Sequence, residues 1–77
     1  MQNLQKINKL YYEVFDTNDK ITACGRDKCK SLILACQKLN PQIDFGNADT
    51  GMMNVDNIVN FKKNLEVCLW FAPIATI

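Results

Sequence analysis

The sequence has no histidine at all, and it has only one serine, Ser31, and one arginine, Arg26. Without an imidazole, Ser-His-Asp and Cys-His catalytic arrangements cannot be built, and the lone serine falls inside a helical pattern. Most hydrolase chemistry is excluded, and no catalytic residue is expected. Cys24, Cys29, Cys36 and Cys68 are separated by 4, 6 and 31 residues. That spacing holds no Cys-x-x-Cys knuckle, and no histidine can complete one, so neither a metal site nor a cofactor is expected. No glycine precedes a Gly-Lys-Ser/Thr, so there is no phosphate loop.

An excess of one charge is also missing. Nine Lys/Arg stand against eight Asp/Glu, for a net charge of +1. No global field is available to hold nucleic acid or an anionic membrane. The opening residues MQNLQKINKLYYEVFD carry charges and amides throughout and lack the apolar stretch of a secretory leader, so a cytoplasmic location is expected. The uncharged run Val67–Ile77 has eleven residues including Pro73, short of the roughly 20 a membrane span needs. No membrane association is expected.

What is present fits one small domain over residues 1–77: 48% hydrophobic and 22% charged, with no repeat, low-complexity tract or linker. Asn, Lys and Ile are strongly favoured, the bias of A+T-rich coding sequence, which suits a phage or mobile element.

The clearest element is a helix over Arg26–Leu39. Cys29, Leu32, Ile33, Cys36 and Leu39 recur at helical spacing, Leu34 and Ala35 broaden the stripe, and Asn40-Pro41 stops it. Cys29 and Cys36 then lie on one face, about 10 Å apart along the axis, too far for a mutual disulfide. Buried reduced cysteines are expected, with Cys24, just before the helix start, the one candidate for a reactive thiol. A second helix is predicted from Val55 to about Glu66, with Val55, Ile58, Val59, Phe61 and Leu65 on its apolar side and Asn54 as its cap.

Two periodicities fit the N-terminal region. Leu4, Ile7, Leu10, Tyr11, Val14 and Phe15 share one side of a helix, yet LYYEVFD and KITA are also β-prone runs joined by the turn residues of DTND. The turn chemistry favours a β-hairpin there. A further short hairpin is predicted within residues 42–53, where Gly46 and Gly51 supply turn positions. The expected fold is α+β, a small antiparallel sheet packed against two helices, with a three-helix all-α bundle as the alternative.

The functional expectation centres on the C-terminus, where Trp70, Phe71 and Ile74 follow the last charge. The segment reads either as a final strand or strap, held to an edge position by Pro73, or as an exposed anchor for a partner. Tyr12 extends that candidate partner-binding set. The expectation is a non-enzymatic protein-binding module whose partner is another protein or a second copy of the chain. An accessory or inhibitor protein that occupies a surface is one form of it. The alternative is a small DNA-binding regulator contacting DNA through Asn60, Lys62 and Lys63 on the second helix, weakened by the balanced charge and by Asp56 in the same patch. Arg26, Lys28 and Lys30 form a second basic cluster, interrupted by Asp27.

Overall fold

A computed structural model describes the backbone of residues 2–22 and 25–76 and the side chains of residues 4–22 and 25–65. The element order is α1 (Gln2–Val14), α2 (Arg26–Leu39), β1 (Gly46–Asn47), β2 (Met52–Met53) and α3 (Val55–Thr76). The strands are antiparallel, with Gly46 opposite Met53 and Asn47 opposite Met52. Three helices with a small two-stranded sheet make the fold α+β, and the all-α alternative is not needed.

Helix α2 has the bounds its periodicity predicts. It buries Cys29, Leu32, Ile33 and Cys36, and the amide of Asn40 closes its last turn on the Cys36 carbonyl before Pro41. Leu34 and Leu39, counted with the apolar stripe in the sequence, instead point outward.

The N-terminal region corrects the hairpin expectation. Residues 2–14 are helix, and the reason lies in which neighbours are buried. Val14 and Phe15 are adjacent and both fully buried, with Tyr11 one turn and Ile7 two turns earlier. In a strand, adjacent side chains point to opposite faces, so a sheet packed on one side could not bury both. The turn chemistry is nonetheless real. The Asp16 carboxylate accepts the amides of Asn18 (2.8 Å) and Lys20 (3.0 Å), and Asp19 adopts a left-handed φ of 60°. The turn folds residues 20–22 back onto the end of α1 through a single antiparallel bridge, Phe15 to Ile21. There the Val14 carbonyl, left without a helical partner, accepts both the amide (2.8 Å) and the hydroxyl (2.9 Å) of Thr22.

The second hairpin forms within the predicted range. The Asp44 carboxylate accepts the Gly46 amide, and the Asn47 side chain accepts the amides of Asp49 and Thr50, so local side chains fold both ends of β1. Phe45, fully buried, fastens the hairpin to α3, its ring 4.9 Å from that of Phe61. The Asn57 amide donates to the Asp44 carbonyl (2.7 Å), and the Asn54 amide to that of Phe45 (3.0 Å). Gly46 is required: its φ is 121°, and a Cβ there would run into the Met52 carbonyl oxygen.

Helix α3 begins at Val55 as predicted but does not end near Glu66. Its backbone stays helical through Thr76, where the sequence suggested a strand or strap. No turn residue stands between Glu66 and Pro73, so nothing local stops the helix at Glu66. The expectations placed on Trp70, Phe71 and Ile74 lie outside the described side chains, and Cys24 lies outside the described residues. Among the described residues no helix is long and apolar enough to cross a membrane.

Phe45→Ala should cost about 3 to 5 kcal/mol in urea unfolding, the range for truncating a buried phenylalanine. Gly46→Ala should also lower the midpoint, without changing the slope. A wild-type midpoint in either variant would show that the hairpin is not fastened as described.

Candidate functional site

Two surface regions carry the candidate residues. The first is built around Lys62, which is only 7% exposed. Its ammonium lies 3.5 Å from the Asp19 carboxylate and 5.2 and 5.1 Å from the ring centroids of Tyr11 and Tyr12. The Tyr11 hydroxyl donates to the same carboxylate at 2.6 Å, and the Tyr11 ring stacks on Phe15 at 4.4 Å. One lysine, one carboxylate and two aromatic faces therefore tie α1, the turn after it and α3 together. A buried charge needs such company, because desolvation without a partner is costly.

The cluster shifts its own titrations. The hydrogen bond from Tyr11, reinforced by the Lys62 charge, holds the Asp19 carboxyl below its usual value, outweighing desolvation. Burial, and then the bond to Asp19, pushes the Tyr11 phenol well above its ordinary range. Neither group is poised to exchange a proton near neutrality, so the cluster acts as a structural tie.

The sequence candidates fall unevenly around it. Tyr12 is 42% exposed and packs edge-on against the buried Tyr11. Asn60 and Lys63 are exposed and border a shallow polar depression with Asn18 and the carboxylates of Asp19 and Asp56. Lys62 is separated from them. Its ammonium is spent on Asp19 and the tyrosines, so the structure does not bring Asn60, Lys62 and Lys63 together as one DNA-facing row. Arg26, Lys28 and Lys30 are exposed, and the Arg26 stem lies over Gly51.

The second region is a groove between α1 and α2 that the sequence reading missed. Lys6 and Ile7 lie opposite Ala35, Lys38 and Leu39, and Leu10 lies opposite Ser31 and Leu34, so the helices run antiparallel. Ser31, Leu34, Ala35 and Lys38 stand at i, i+3, i+4 and i+7, a second stripe beside the buried one. Leu34 is 48% exposed and Leu39 38%. The available signal was the width of the apolar stripe on α2, more than one core-facing side needs.

Burial pushes the Cys36 thiol up to about 12, so no thiolate nucleophile forms there at neutral pH. The Ser31 hydroxyl donates to the Asp27 carbonyl within its own helix. Among the described residues no three His, Cys, Asp or Glu side chains gather as a metal site.

Because the folded carboxyl of Asp19 is lowered, its stabilisation is present above the unfolded value near 3.9 and is lost as pH falls through the folded one. Asp19→Asn should melt below wild type at pH 7, with the gap closing as pH falls below about 4. A gap that stays constant with pH would show that the charge is not what holds the turn. Lys62→Glu, which sets a second carboxylate against Asp19, should cost about 3 kcal/mol or more. Lys63→Glu, fully at the surface, should change stability by about 0.5 kcal/mol or less. Equal effects in denaturant titration would place Lys62 at the surface. No protein-family model matches this chain, and neither a curated protein nor a solved structure matches it.

Proposed function

We propose that this chain is a small non-enzymatic module that works in the cytoplasm by binding another protein. The observation that carries the reading is the outward face of α2, where Leu34 and Leu39 stand exposed beside the half-buried Leu10 of α1. The exposed leucines cost solubility and lie outside the buried core, so with Leu10 beside them they mark an interaction surface. The uncharged run Val67–Ile77, with the only tryptophan, supports the same reading from the sequence. A phage or mobile-element accessory protein that occupies a surface on a larger partner suits the compositional bias, and a second copy of the chain is the other partner class.

The DNA-binding reading is weaker. It retains Asn60 and Lys63 but loses Lys62 to the buried cluster, and Asp19 and Asp56 border the same depression. It would require a gel shift at low salt that Lys63→Glu weakens.

The protein-binding reading is tested with the full chain, by affinity capture followed by calorimetry on the purified pair and by light scattering across concentration. A defined complex, with a partner or as a dimer, is the expected result. A chain that stays monomeric, captures nothing and gives the Lys63-dependent gel shift would replace this reading with the DNA-binding one.

A further inference from the structure

The geometry points to the α1–α2 groove as the docking site for an amphipathic helix with acidic residues beside its apolar stripe, supplied by the partner protein. The inference rests on the protein-binding reading and adds the surface and the partner's chemistry.

Three observations converge. The groove has a volume of about 340 Å³ and is open along the helix pair, which suits a rod laid on top more than a small molecule enclosed within. Its floor is aliphatic: Leu10 from α1 faces Leu34 and Ala35 from α2, and Leu39 continues the row. A seam between two antiparallel helices accepts a third helix whose apolar residues recur at i, i+3, i+4 and i+7.

The charges then choose among helices. Lys6 and Lys38, one from each wall, meet at the same end of the groove, and among the described residues no carboxylate borders it. Both lysines are exposed, and neither has an ion-pair partner among the described residues. A basic helix laid there would bring like charges together, while an acidic one meets two cations at a partly desolvated apolar edge. The chain's own segment 67–77 has no acidic side chain to offer them.

The test uses the full chain and fluorescein-labelled helical peptides of about 14 residues, roughly 21 Å long. The peptides share one leucine stripe and carry Glu, Gln or Lys beside it. In fluorescence anisotropy the Glu peptide should bind roughly ten-fold tighter than the Lys peptide, because a few modest surface attractions are exchanged for repulsions. The order should invert in the Lys6→Glu, Lys38→Glu double variant, whose surface changes leave the core untouched. Leu34→Asp should weaken all three peptides, and Leu34→Gln, a milder change, should do so to a lesser degree. Equal binding of all three peptides, no binding of any, or an unchanged order in the double variant would overturn the assignment. So would tighter binding to phosphatidylglycerol vesicles than to the Glu peptide, which would make the groove a lipid surface. A captured protein partner whose cross-links fall away from Leu34 would overturn the groove assignment while leaving the protein-binding reading intact. Failure to bind any protein would overturn both.

Discussion

The arrangement of the helices depends on how one buried ammonium is satisfied. Lys62 sits on α3 with almost no contact with water, so its charge must be met from inside, and what meets it comes from α1 and the turn that follows. Asp19 supplies the counter-charge, and Tyr11 and Tyr12 supply the electron-rich faces of their rings. Removing the Asp19 carboxylate takes the counter-charge away from a nearly buried ammonium, which is costly. On the other side, α3 is held to the hairpin by the Asn57 and Asn54 hydrogen bonds and by the Phe45–Phe61 contact. The Lys62 contact is directional, so it fixes where α3 lies relative to α1.

That tie also explains where reading the sequence succeeds and where it stops. Helix α2 can be found from the sequence because its period, its proline stop and its polar flanks agree. The 46–53 hairpin can be found because Asn47, Gly46 and Gly51 allow few other conformations. Helix α1 is harder, because aromatic and β-branched residues satisfy both periods, and only burial of the adjacent Val14 and Phe15 decides between them. The turn chemistry of DTND was a sound signal attached to the wrong partner. It reverses the chain after a helix, with a single bridge where a two-stranded ladder was expected. Lys62 could not have been placed from sequence, since a lysine among Asn60, Lys63 and Asn64 looks solvated until a carboxylate distant in the chain is brought to it.

Helix α2 serves two purposes with two adjacent stripes. One stripe, Cys29, Leu32, Ile33 and Cys36, builds the core against α1 and the hairpin. The other, Ser31, Leu34, Ala35 and Lys38, touches the core only through Ala35, and its leucine stands about half exposed. A single amphipathic period would need only the first. The second is hard to account for by stability alone, and it offers both apolar area and charge.

Asp19 meets two requirements that ordinarily call for different amino acids. Its backbone is left-handed, which glycine suits best, yet its side chain carries the negative charge that Tyr11 and Lys62 both engage. Glycine would relax the chain and abandon the charge, asparagine would keep the shape and neutralise it, and glutamate would keep the charge with a poorer fit to the backbone. Drift at this position therefore has no free direction, and in any lineage carrying this fold the residue should change last, or only together with Lys62.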